Sequence, residues 1–291
     1  MKTKSFIYLL ISYLVGILGS YLCFLELNKH FDILLATLLA DIICTIIIFI
    51  FSVIANNSSI YDPYWSVIPP FIILLWMIKT KNNSLPEQII FGVYLFWSLR
   101  LTLNCLFNWK GLKHEDWRYR SFREKTGKYY WFVSFLGIHL FPTLIVFLGM
   151  MPILIGFTYK EGFQPYIFIF GVYVGICSII IAIVADLALY KHRHSDKVHT
   201  SIRSGIWKYS RHPNYLGEII FWLSNYLMGL AYNINKFYTI IGFITVVLLF
   251  NLFSIPTIEK RLLQRKTDYH EIMSNIPRLL PIKFNSRKKR D

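Results

Sequence analysis

The polar chemistry of this chain is concentrated in one stretch, S-G-I-W-K-Y-S-R-H-P-N-Y-L-G-E-I-I-F-W, running from Ser204 to Trp222. Pro213 suits the first turn of a helix, where its missing N–H would be unpaired anyway, so the spacing predicts a helix that starts there. The free backbone N–H groups and positive dipole end of that helix would lie beside Arg211 and His212, with Lys208 nearby, a combination that suits a phosphate or carboxylate. Asn214 and Glu218 stand at i and i+4 and share a face, with Trp222 one turn beyond. A carboxylate about one turn inside an apolar helix is expensive and therefore points to a function. Two other apolar runs carry similar stripes, Arg100, Asn104 and Asn108 on one and Asp186, Tyr190 and Arg193 on the other. The three faces are expected to converge near one membrane surface, around a water-filled cavity that makes them tolerable. The plainer expectation is that Arg100 pairs with Asp186 or Glu218 to hold helices together. Asp41, alone in its run, reads equally well as a packing residue.

The elements that must position these groups follow from composition. Of 291 residues, 55% are hydrophobic and 18% aromatic, which describes an all-α polytopic membrane bundle and excludes a soluble domain. Apolar segments lie at about 5–25, 33–55, 64–79, 89–109, 131–157, 166–190, 214–231 and 237–256, each near the roughly 20 residues needed to cross hydrocarbon. The third is short and contains Pro69 and Pro70. With about eight transmembrane helices, residues 1–291 form one membrane domain. The net charge of +15 then reflects topology, not nucleic acid. Most Lys and Arg fall on the side of the two termini, which the positive-inside rule places in the cytoplasm. The first apolar run is too long for a signal peptide and lacks a small-residue cleavage site, so it reads as a retained helix. Gly171 and Gly175 form a small-x-x-x-small packing pair. Beyond Pro256, Leu262, Tyr269, Ile272, Met273 and Ile276 recur among basic residues as in an amphipathic surface helix. Cys23, Cys44, Cys105 and Cys177 have neither disulfide nor metal-ligand spacing, and His139 and the loop histidines lack partners, so no metal site is expected. The terminal Arg287 to Arg290 tract reads as a solvated basic tail. Alternatively Lys288 and Lys289 match a dilysine retrieval signal, which would place the protein in the endoplasmic reticulum if the source is eukaryotic.

Three blocks carry a family resemblance. They are L-R-L-T-L-N-C-L-F-N-W-K-G-L-K-H-E-D-W-R-Y-R-S-F-R at Leu99 to Arg123, Y-S-R-H-P-N-Y-L-G-E at Tyr209 to Glu218, and S-I-P-T-I-E-K-R at Ser254 to Arg261 with the late I-P-R-L-L-P at Ile276. Together they resemble the membrane proteins allied to steroid 5-alpha-reductase, in particular a mainly bacterial branch. The resemblance implies a helical bundle that binds NADPH in a cytoplasm-facing cavity and reduces a conjugated carbon–carbon double bond of a lipid. It implies that Asn214 and Glu218 contact the cofactor, that Asp186 and Arg193 hold its adenosine or phosphate end, and that Asn108 lies near it. Residues 204–282 become the C-terminal cofactor-binding motif region. Arg100, Tyr209, Arg211, His212 and Glu259 complete the expected cofactor-binding set, with Arg193 and Arg211 chemically suited to a 2′-phosphate. Two positions depart from the family. Trp97 stands where the steroid reductases carry a catalytic tyrosine, leaving Tyr94, Tyr215 or a water held by Glu218 as the expected proton source. Ala182 replaces a usual asparagine or glutamate, which weakens the expected cofactor contacts of that helix.

Two rival readings remain. Isoprenylcysteine carboxyl methyltransferases and related phospholipid methyltransferases share R-H-P-x-Y-x-G and a P-R-L-x-P-like ending. That resemblance implies S-adenosylmethionine as cofactor, with Arg211 and His212 on its carboxylate and Glu259 on its amino group. The upstream R-L-T-x-N and H-E-D-W-R-Y-R material favours the reductase. A non-catalytic lipid-binding protein is the third reading. The expected partners are a lipid substrate and the membrane, with no obligate protein partner evident.

Overall fold

A computed structural model describes residues 2–196 and 199–281; the Arg287 to Arg290 tract, and the retrieval signal read from it, lie outside the described residues. The described chain is helical, with no strand. In order the helices are α1 (Lys2–Leu27), α2 (Ile33–Ile54), α3 (Tyr64–Lys79), α4 (Leu85–Asn108), α5 (Trp117–Thr126), α6 (Tyr130–Ser134), α7 (Phe141–Thr158), α8 (Pro165–Arg193), α9 (Pro213–Leu230), α10 (Ile240–Leu248), α11 (Ile255–Arg265) and α12 (Tyr269–Asn275). A π-helical turn at Phe135–Leu140 joins α6 to α7, and another at Leu249–Ser254 joins α10 to α11.

All eight apolar segments fall on helices. Among the described residues, six helical stretches are long and apolar enough to span a membrane: Thr3–Leu27, Ile33–Ile54, Leu85–Asn108, Trp117–Thr158, Pro165–Arg193 and Ile234–Arg265. The other two are shorter or more polar. α3 has 16 residues and carries Pro69 and Pro70. α9 has 18 and buries Glu218, Ser224 and Asn225. The amphipathic C-terminal stretch departs from its expected form. Its first half, α11, continues out of the last span, and the chain leaves the helix at Lys266, whose backbone is extended. Asp268 fixes that break by accepting hydrogen bonds from the backbone N–H and hydroxyl of Ser201, at 3.0 and 2.7 Å, so α12 starts afresh.

The three helices that carry the polar stripes meet because small residues let them. α9 lies against α8, and a Cβ at Gly217 would stand 2.9 Å from the Ala182 Cβ and 3.0 Å from the Ser178 carbonyl oxygen. Gly217 and Ala182 thus set the spacing that places the next residue, Glu218, between α4 and α8. The same contact gives Ala182 a packing role, which explains a small side chain there. Gly171 and Gly175 extend it, with the Ser224 hydroxyl donating to the Gly171 carbonyl at 2.8 Å. On the α4 side Trp97 and Phe221 stack at 4.4 Å with a 5° interplanar angle, and the Trp222 edge meets Trp97 at 5.7 Å. Such packed aromatic pairs lock helix rotation as well as distance. Asp41 proves to be a packing residue, as one of its two readings had it: it is buried on α2 and accepts the Tyr64 hydroxyl at 2.7 Å.

Candidate functional site

Arg100 is the centre of the site. Its side chain is 8% exposed, and its guanidinium reaches two carboxylates, Asp186 on α8 and Glu218 on α9, whose side chains are 12% and 5% exposed. Nη1 donates to Asp186 Oδ2 at 2.8 Å and Nη2 donates to Glu218 Oε1. The second Glu218 oxygen accepts the Trp97 indole N–H at 2.9 Å. Trp97 is 1% exposed and therefore acts through Glu218, fixing the carboxylate in one orientation. Two carboxylates on one guanidinium leave the triad with one net negative charge.

The triad closes one end of a cavity of about 500 Å³. All three predicted stripes line it: Arg100, Asn104 and Asn108 from α4, Asp186, Tyr190 and Arg193 from α8, and Asn214, Tyr215 and Glu218 from α9. Their convergence was expected from spacing alone. Tyr215 leans on Phe250 of the second π-turn, ring centroids 5.2 Å apart, which gives the cavity an apolar wall.

The remaining wall comes from two loops that the sequence reading left without a role. Residues 57–62, between α2 and α3, dock against the H-E-D-W-R-Y-R segment. Asn57 donates to the Leu112 carbonyl at 2.7 Å, and Glu115 accepts both the Ser58 N–H and the Tyr130 hydroxyl at 2.9 Å. The Asp116 N–H donates to the Ser59 hydroxyl at 2.8 Å, and the Asp116 carboxylate caps α5 while holding Arg118 Nε at 2.8 Å. Tyr119 donates to Asp62 at 2.5 Å. Burial pushes Asp62 up to about 6, with Arg118 and the Tyr119 hydrogen bond opposing it. This latch presents His114, Asp116, Arg118 and Asp62 to the cavity, and Lys110 joins them. An eight-span topology places residues 56–63 on the same side as 110–130, which was the available signal for this wall. It could not show which carboxylate would meet which cation.

The other predicted site residues do not join the cavity. α9 starts at Pro213 as expected, but Arg211 and His212 turn away from the α4 and α8 stripes towards Glu259 of α11. Glu259 Oε1 lies 3.2 Å from Arg211 Nε and 3.0 Å from His212 Nε2, and its Oε2 lies 3.3 Å from Arg278 Nη2. The Tyr269 hydroxyl approaches at 3.5 Å. The Arg211 N–H donates to the Pro277 carbonyl at 3.0 Å, which straps the late I-P-R-L-L-P segment across the R-H-P motif. His212 is buried, which lowers its pKa below the usual imidazole value although Glu259 beside it works the other way. Its ring stacks on Tyr215, centroids 5.6 Å and planes 14° apart, so this second cluster supports one cavity wall from behind. Tyr209 is 63% exposed and Lys208 is exposed, both outside the cavity lining. Tyr94 is fully buried and its hydroxyl donates to Asn225 Oδ1 at 2.5 Å, away from the cavity. No group of three His, Cys, Asp or Glu suited to a metal ion occurs among the described residues.

The family model described as "Protein of unknown function (DUF1295)" matches residues 48–275, and the chain belongs to that family. An uncharacterized protein of Schizosaccharomyces pombe, C594.04c, is 24% identical over 205 residues, which is 61% of this chain and 59% of the relative. The chain thus matches about three fifths of that relative's length. No solved structure matches.

Proposed function

We propose that this membrane protein is an NADPH-dependent reductase of a carbon–carbon double bond in a hydrophobic lipid. The observation that carries the reading is the placement of the Arg100, Asp186 and Glu218 triad at the closed end of a 500 Å³ cavity whose other lining includes Lys110, Arg118 and Arg193. That volume falls in the range of small-molecule and cofactor sites, roughly 300–1,000 Å³. The cations suit phosphates, since guanidinium forks match phosphate oxygens. Among the described residues Arg100 Nε is buried without a hydrogen-bond partner, as are Arg211 Nε and Nη1 in the other cluster, so the triad retains a donor that its own carboxylates do not use. The donor and acceptor set therefore fits a dinucleotide.

When bound, such a cofactor supplies a hydride. The chain's own residues bind and orient. Arg118, Arg193 and Lys110 would hold phosphates. Asn214 and Glu218, one turn apart on α9, would fix the carboxamide end by hydrogen bonding. The Tyr215 hydroxyl is the cavity-lining phenol on that same helix and would hold the proton delivered to the lipid. A lipid acceptor reaches such a site from the bilayer, and the positive-inside pattern orients the cavity towards the cytosol.

S-adenosylmethionine is less well served. It would require Arg211, His212 and Glu259 to face a ligand, whereas here Glu259 is engaged by Arg211, His212 and Arg278 and none of the three lines the cavity. The test is thermal unfolding of the detergent-purified protein with NADPH and, separately, with S-adenosylmethionine. Stabilisation by NADPH alone is expected. Stabilisation by S-adenosylmethionine alone would overturn the reading, and a response to neither would favour a non-catalytic lipid-binding role.

A further inference from the structure

We propose that the inner end of the cavity discriminates the redox state of the dinucleotide, binding the oxidised form more tightly than the reduced one, so that its occupancy follows the ratio of the two. This rests on the reading of the cavity as a dinucleotide site. It concerns a property that reading does not contain, namely which form the bare protein holds.

The argument starts from charge. Arg100 is shared by two carboxylates, and the additional side-chain hydrogen bond to the triad, from the Trp97 indole, is neutral. The three side chains are 8%, 12% and 5% exposed, so bulk water screens their net charge of −1 only weakly. The cations of the cavity are distributed differently. Lys110, Arg118 and Arg193 are exposed, while Arg100 is buried between its carboxylates; Arg193, two turns beyond Asp186 on α8, offsets part of the triad's charge without joining its hydrogen bonds. The cavity is therefore dipolar, negative at the buried end and basic where it meets solvent. Asp116 neutralises part of Arg118, at 2.8 Å, and Asp62 is engaged by Tyr119, so neither reverses that polarity.

An elongated ligand with phosphates at one end and a nearly uncharged ring at the other has one favourable orientation here. The phosphates go to the exposed cations, because at the buried end they would face two carboxylates. The nicotinamide end then lies against the triad, which assigns Asp186 to that end and not to the adenosine or phosphate end that the family resemblance implies. Its ring is neutral in the reduced form and carries one positive charge in the oxidised form, while the rest of the molecule is the same. A unit positive charge within about 6 Å of a net negative charge, at an effective dielectric near 20, is worth tenfold or more in affinity. The protein should therefore favour the oxidised cofactor by about tenfold or more.

The experiment is an equilibrium titration of the full-length, detergent-purified protein with NADP⁺ and with NADPH, read by ligand-dependent thermal stability and by calorimetry. Adenosine 2′,5′-bisphosphate serves as a probe that lacks the nicotinamide. In the wild type the Kd for NADP⁺ is expected to be about tenfold or more below that for NADPH. In Glu218→Gln, and independently in Asp186→Asn, the triad becomes neutral and the ratio should fall towards one, while the bisphosphate Kd stays within about twofold. Equal affinities in the wild type, or tighter NADPH, would overturn the inference and leave the dinucleotide reading standing. So would a variant that folds, binds the bisphosphate and keeps the wild-type ratio. Failure of both dinucleotides and the bisphosphate to bind would instead reject the dinucleotide reading. The wild-type ratio decides the question even if a variant fails to fold.

Discussion

Two ion clusters sit at opposite ends of the same short helix segment, and they have opposite balances. Around Arg100, one cation serves two carboxylates and the group opens on a cavity. Around Glu259, one carboxylate serves Arg211, His212 and Arg278 and the group ties chain segments together. Both are costly to bury, and a buried pair is weak evidence of stability in itself. The difference lies in what each cluster borders. The Glu259 group joins the start of α9 to α11 and the C-terminal strap outside the cavity, with Arg211 Nε and Nη1 left without a hydrogen-bond partner among the described residues. The Arg100 group presents carboxylates to a space that a ligand can fill.

The largest effect that would sharpen this comparison is Arg100→Met. It leaves Asp186 and Glu218 buried without their cation, and a loss of about 3–5 kcal/mol is expected, measured as chemical unfolding in detergent. A loss below about 1 kcal/mol would show that the two carboxylates are not held by Arg100 in the protein. Next comes Glu259→Gln, which keeps an acceptor for His212 but removes the charge shared by Arg211 and Arg278. Its expected cost is about 2 kcal/mol, accompanied by faster proteolysis beyond Asn275 and, on the proposed function, an NADPH affinity within about threefold of wild type. If that variant instead abolished cofactor binding, the roles assigned to the two clusters would be exchanged.

Trp97→Phe preserves the stack on Phe221 and removes only the N–H that orients Glu218. A loss of about 1 kcal/mol in stability is expected, with a larger proportional weakening of NADPH binding, because the carboxylate is free to turn. Unaltered binding would remove Trp97 from the positioning shell. The remaining effect concerns the latch and is confined to a pH window. Asp62 has its folded pKa raised to about 6 from 3.8, so its contribution is fully present below about pH 4 and is lost as pH rises through about 6. Asp62→Asn should flatten that part of the pH–stability profile, a change of up to about 3 kcal/mol. An unaltered profile between pH 4 and 6 would exclude Asp62 as its source.

Much of the candidate site was legible in the sequence, and the reason is periodicity. A polar side chain in an apolar helix stands out, and i, i+4 spacing assigns it to a face. Arg100 with Asn104 and Asn108, Asp186 with Arg193, and Asn214 with Glu218 could be assembled in this way. Proximity in sequence misled where backbone direction changes. Arg211 and His212 adjoin Asn214, yet the turn before Pro213 sends them to the other cluster, a choice that depends on where α11 places Glu259. Tyr94 lies only three residues from Trp97, but α4 rotates it towards Asn225. Asp62 and the segment from His114 to Tyr119 are irregular or terminal to helices and have no periodic signal.

The sequence by itself determined that the chain is an all-helical membrane bundle, where α9 begins, and which faces of α4, α8 and α9 are polar. These depend on transfer free energy and helical repeat, both local properties. Only the tertiary structure decided that Arg100 would hold two carboxylates, that Trp97 would orient one of them, and that Glu259 would draw Arg211 and His212 away from the cavity. Those outcomes depend on helix rotation and approach, set by contacts such as Gly217 against Ala182 and Trp97 against Phe221, between residues scores of positions apart in the chain.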